Sequence, residues 1–110
     1  MKITDIITGL NLKVISGHNG LANEITGGYV SDLLSDVMGN ASEGQVWITL
    51  QTHQNIIAVG SLKEIAAIII VKGYMPDTET IDKSNIENIP VLSTELDTFT
   101  IAGRLYDLLQ

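Results

Sequence analysis

Ala66-Ala67-Ile68-Ile69-Ile70-Val71 is an apolar run without a single polar interruption. A strand with one wet face alternates apolar and polar residues. An unbroken apolar run rich in β-branched residues is instead the pattern of a central strand covered on both faces, as in a parallel sheet between layers of helices. Extended back to Ile65, the run is still far short of the roughly 20 residues that a membrane-crossing helix needs. The segment therefore predicts the middle of a folded domain.

Its surroundings repeat a strand-then-helix order. Val46–Leu50 is followed by a helical pattern over Gln54–Leu62, Ala66–Val71 by a helix beginning at Thr78, and Val91-Leu92 by a helix over Asp97–Leu109. Repeated units of this kind build a parallel sheet with crossover helices. Upstream, Thr4–Thr8 reads as a short helix capped by Thr4 and ended by Gly9, and Leu12–Ile15 as a strand. Ser16–Gly20 reads as a turn, and Glu24–Val30 as a strand weakened by Gly27 and Gly28. Ser31 or Asp32 then caps a short helix with Leu33, Leu34, Val37 and Met38 on one stripe, closed by Gly39. In the helix from Thr78, Ile81 and Ile86 are the residues expected to pack. In the last helix Phe99, Ala102, Leu105 or Tyr106, and Leu109 form the expected inner stripe. The expected fold is α/β, a three-layer sandwich whose mainly parallel sheet of about five strands is flanked by helices, in one domain over residues 1–110.

Composition narrows the function. Six Lys and Arg against 13 Asp and Glu give a net charge of −7, with no basic cluster. Nucleic-acid binding and attachment to an anionic membrane surface are not expected, because both rest on positive charge. The chain has no cysteine, which excludes disulfides, thiol catalysis and thiolate metal sites and fits a cytoplasmic location. Met1-Lys2-Ile3-Thr4-Asp5 is too polar for the apolar core of a signal peptide. His18 and His53 are the only histidines and share no metal-binding spacing, and no G-x-S-x-G elbow supports a Ser-His-Asp triad. Neither catalysis nor a cofactor is expected.

In an open parallel sheet, ligands bind beyond the carboxyl ends of the strands, where helix N-termini also present free N–H groups. The strand ending near Leu50 delivers Thr49, Gln51, Thr52, His53 and Asn55 to that rim. The central strand delivers Lys72, Gly73 and Tyr74, and the neighbouring strands deliver Ser31, Asp32, Ser93 and Thr94. For Asp32, Thr52 and Thr94 the plainer explanation is helix capping. His53 and Asn55 are neither favoured core residues nor strong caps, and in a first helical turn either could donate to an anion or a base edge. Lys72-Gly73 fits a solvated turn as well as a cation beside backbone open to a ligand. Thr26-Gly27-Gly28 lacks the further spacing of a phosphate loop and reads as a bulge or bend. The candidate ligand-binding residues are thus Thr49, Thr52, His53, Asn55, Lys72 and Gly73.

The stretch from Trp47 to Val59, followed by Ala67-Ile68-Ile69-Ile70-Val71-Lys72-Gly73, resembles the DRTGG domain family. In that family a strand ends in a Gly-Asp-Arg-type turn entering a helix, and the next hydrophobic strand ends in Thr-Gly-Gly. Here Thr52-His53 stands for the Asp-Arg and Val71-Lys72-Gly73 for the Thr-Gly-Gly, so only Gly73 is kept from the naming motif. The resemblance covers the whole chain and implies a fold like the N-terminal domain of HPr kinase/phosphorylase. It also implies a non-catalytic regulatory role, a homodimer, a nucleotide or phosphorylated metabolite as ligand, and signalling or hydrogenase-associated proteins as partners. A protein interaction or dimerisation scaffold with no small ligand is the alternative.

Overall fold

A computed structural model describes all of residues 1–110. In chain order its elements are α1 (Ile3–Leu10), β1 (Lys13–Ser16), a single 3-10 turn at His18–Gly20, β2 (Gly27–Val30), α2 (Leu34–Asn40) and β3 (Gln45–Thr49). These are followed by α3 (Asn55–Leu62), β4 (Ala67–Ile70), α4 (Thr78–Glu87), β5 (Val91–Ser93) and α5 (Thr98–Leu109). The five strands form one sheet in the order β1-β5-β4-β3-β2. β2 through β5 pair in parallel, while β1 runs antiparallel to β5, so the sheet is mixed.

The unbroken apolar run does lie at the centre, with helices above and below. Ala67, Ile69 and Val71 join Val46, Ile48 and Leu92 on the face packed by Ile3, Ile6 and Leu10 of α1 and Ile101 and Leu105 of α5. Ile68 and Ile70 join Trp47 and Val91 on the opposite face, against Val37 of α2 and Ile56 and Ile57 of α3. Successive side chains of one strand thus feed two separate cores, which is why the run has no polar phase. Trp47 is fully buried, and its indole N–H donates to the Ser31 carbonyl at 2.9 Å.

Several sequence-based expectations are corrected. Gly27 and Gly28 hold unbroken register with Gln45 and Val46, so this segment is neither bulge nor bend, and regular pairing begins at Gly27 rather than Glu24. α1 runs past Gly9 and ends at Asn11 in the left-handed conformation. On α5, Phe99 is 89% and Tyr106 67% exposed, while Ala102, Leu105 and Leu109 do face the core, together with Ile101 and Leu108. On α4, Ile86 is 73% exposed, and the buried side chains are Thr80 and Ser84. Their hydroxyls can be buried because each is bonded. Thr80 donates to the Thr52 carbonyl at 2.7 Å and Ser84 to the Ile89 carbonyl at 2.6 Å, while Ser16 donates to Ser84 Oγ at 2.8 Å.

Candidate functional site

The parallel pairing brings the carboxyl ends of β2, β3, β4 and β5 to one rim, with β1 contributing its amino end because Lys13 lies opposite Ser93. Pairing continues past the strand ends. Val71 N–H donates to the Thr49 carbonyl at 3.2 Å, and Thr94 N–H to the Ile70 carbonyl at 3.2 Å. All six predicted site residues sit on or just past this rim. Their side chains are in very different situations.

Thr49 is 1% exposed and its hydroxyl donates to Asp32 at 2.8 Å. The same carboxylate accepts from Leu50 N–H at 2.7 Å, so Asp32 ties the end of β2 to the end of β3 and is not a helix cap. Ser31 is not one either: its hydroxyl oxygen accepts from Leu33 N–H at 3.1 Å, ahead of the helix, and the N-cap position of α2 is Leu33, which has no side-chain cap bond. Thr52 is likewise no cap. Its carbonyl accepts from Asp77 N–H at 3.1 Å as well as from Thr80, pinning the β3–α3 loop to α4. Nor does Thr94 cap α5. It accepts locally from Leu96 N–H, and the cap is Asp97, which accepts from Thr100 N–H at 2.8 Å. The hydrogen bonds from Thr100, with help from the positive charge of Lys72, hold the Asp97 carboxyl below the usual carboxylate range.

His53 stands exposed at the entrance to α3, and its Nδ1 accepts from Asn55 N–H at 3.1 Å. A neutral ring with an accepting Nδ1 carries its proton on Nε2, and that donor has no partner within the chain. The side-chain amide of Asn55 is exposed and also makes no internal hydrogen bond. Lys72 and Gly73 both adopt positive φ, 61° and 70°. Such a pair reverses the chain sharply, and for Lys72 the conformation is strained by about 1 kcal/mol. Both N–H groups of this turn are used, donating at 2.9 Å to the carbonyls of Leu96 and Thr94. The Glu95 carboxylate lies where a Cβ on residue 73 would be, so the glycine makes room for an acidic side chain. The Lys72 ammonium is exposed and forms no ion pair.

Asp32 as a cross-strand anchor and Glu95 against Gly73 were invisible to spacing rules, since each acts on a residue distant in sequence. Only the Asp97-Thr98-Phe99-Thr100 cap had a local signature. No group of three or more His, Asp or Glu side chains is arranged to hold a metal ion. Two concavities of the molecule lie away from the six residues. One of about 560 Å³ is at the amino ends of the strands, lined by Glu24, Glu43, Glu64 and Glu87 among others. The other, of about 410 Å³, lies between β2 and α5.

With this geometry the chain can be compared with known proteins. The family model of the DRTGG domain matches residues 5–108. The chain belongs to the DRTGG domain family. No curated protein matches this DRTGG domain. Among solved structures it is similar to the CBS and DRTGG domains of the regulatory region of Clostridium perfringens pyrophosphatase, complexed with the activator diadenosine tetraphosphate. The TM-score is 0.72 at 22% identity, covering 96% of this chain and 45% of that one. The DRTGG domain described here thus spans under half the length of that regulatory region, and the likeness establishes its fold. None of its helices is long and apolar enough to cross a membrane.

Proposed function

We propose that this DRTGG domain is a non-catalytic, cytoplasmic ligand sensor, one domain over residues 1–110, that binds a nucleotide or similar small anionic metabolite at the carboxyl-end rim. The observation that carries the reading is the division of labour there. Backbone and buried groups are bonded to one another, while the His53 Nε2, the Asn55 amide and the Lys72 ammonium face outward without internal partners. The Thr52 hydroxyl, directly before His53 in sequence, joins them as a ligand contact. Thr49 and Gly73 contribute by fixing the loops, one through Asp32 and the other through the turn beneath Lys72.

Glu95 and Asp97 flank that turn, so a bare phosphate would meet repulsion as well as Lys72. A nucleotide, read through neutral donors and acceptors in addition to one cation, fits the rim better. A relative whose regulatory region is complexed with a dinucleotide activator supports that class. Titration calorimetry with ATP and diadenosine tetraphosphate should give saturable binding for wild type, weakened by about tenfold in His53→Ala and in Lys72→Ala. Binding indifferent to both changes, or no binding of any nucleotide, would remove the site. We also read the domain as a homodimer, in which subunit contact passes the liganded state from one copy to the other.

A further inference from the structure

The two edges of the sheet are finished differently. β1 begins with Lys13 and carries a register shift between Val14 and Ser16, and both features discourage a further strand from pairing. β2 at the other edge has neither. Its Gly27-Gly28-Tyr29-Val30 is uncharged, free of proline and in unbroken register with β3. Because β3 is its only neighbour in the sheet, the backbone groups on its outer side are without a strand partner. Gly27 has nothing within 4 Å of where a Cβ would stand, so another backbone can come close.

Beside this edge runs the groove of about 410 Å³, floored by Ile48 and Leu105 and walled by Leu109 and Tyr106. It has no charged side chain in its lining, on a chain whose net charge is −7. Two such copies repel over most of their surfaces. A groove lined by no charged side chain is where they can meet with few like charges buried. The same face carries projecting groups beside the recess, with Val30 48% and Tyr106 67% exposed. Knob and hole side by side on one surface is the requirement for a two-fold, self-complementary contact. An extended peptide from another protein would gain only a four-residue strand to pair with, whereas a two-fold arrangement adds helix contacts on both flanks.

We propose that two copies of this chain join through β2, antiparallel about a two-fold axis, with Val30 and Tyr106 of each copy seated in the groove of the other. This deepens the homodimer reading above and rests on it. The sheet becomes continuous across the dimer. Because the protomers carry like charge, the association tightens as salt screens them, opposite to the behaviour of an ion-paired interface.

Sedimentation velocity on wild type, Val30→Lys, Tyr106→Lys and the control Ile86→Lys on α4 tests it, with circular dichroism confirming that each is folded. The wild type and control should be dimers, and the two lysine variants should dissociate at least about tenfold more readily. Hydrogen exchange should show the outward-facing amides among Gly27 to Val30, those not bonded to β3, protected in proportion to protein concentration in wild type and unprotected in Val30→Lys. A monomeric wild type, leaving the face to some other partner, overturns both the homodimer and this interface. A wild-type dimer that both lysine variants leave intact overturns the interface while the homodimer stands.

Discussion

The two ends of the sheet are built on opposite plans. At the carboxyl end, polar groups from separate strands bond to one another across the gaps, as Asp32 does with Thr49 and Leu50, and the chain reversals are held by backbone N–H groups. At the amino end, backbone packs against backbone beside a recess whose lining includes four glutamates. Gly17, at φ 74°, lies directly against the Ile89 carbonyl and Pro90 Cα, and its N–H donates to Asn85 at 2.8 Å. Side-chain hydrogen bonds serve both ends, but the carboxyl end leaves a few groups outward. The amino end adds close backbone approach and leaves a charged hollow. A rim where most polar groups are occupied shows which of them are free, and that is what makes the carboxyl end readable as a binding surface.

The sharpest way to break this contrast is Gly17→Ala. A Cβ there meets main-chain atoms that cannot rotate aside, in a conformation already unfavourable for alanine, so the loss should be about 3 kcal/mol. Urea unfolding measures it, and a loss under half that size would mean that the amino end yields. At the carboxyl end the corresponding change is Asp32→Ala, which leaves the Leu50 N–H and the buried Thr49 hydroxyl without their shared acceptor. A loss of about 2 kcal/mol is expected by the same measurement. If Asp32→Ala is instead neutral, the two strand ends hold together without that carboxylate, and side-chain bonding does not organise the rim.

The central features were legible because they depend on local pattern. Ala66–Val71 announced a strand buried on both faces, and the alternation of strands and helices announced the sheet, down to the convergence of Thr49, His53 and Lys72 on one rim. Two kinds of feature were not legible. The first is burial of polar side chains. Thr80 and Ser84 face the core only because Thr52 and Ile89, on other elements, offer carbonyls at bonding distance, so an apolar count chose Ile86 in their place. The second is a partnership across the sheet. Asp32 just before a helix has the signature of a cap, and nothing near it in sequence points to Thr49. Phe99 failed for a related reason. It sits exposed in the first turn of α5, and the core-facing stripe begins two residues later at Ile101.

The smallest predicted effect separates the two ends by pH. In the amino-end hollow the Glu43 carboxyl is a neighbour of Glu64. Sharing a proton with Glu64, the like charge and slight desolvation together push its pKa above the usual value. A carboxyl raised in the fold adds stability that is fully present below its unfolded pKa and is lost as pH rises through the folded one. Asp97 at the carboxyl end is held low by Thr100, so its contribution is present above the ordinary carboxylate range and is lost as pH falls through its folded pKa. The ends therefore tilt stability in opposite directions across the acid range. Glu43→Gln keeps a hydrogen-bond donor facing Glu64 and removes the repulsion, so its melting temperature should exceed that of wild type slightly at neutral pH, with the gap closing as wild-type Glu43 takes up its proton. Asp97→Asn should lie below wild type at neutral pH and converge with it in acid. Thermal unfolding of both variants between about pH 3 and pH 7 reads the two slopes, and a gap for Glu43→Gln that is unchanged across that range would mean that the two glutamates do not share a proton.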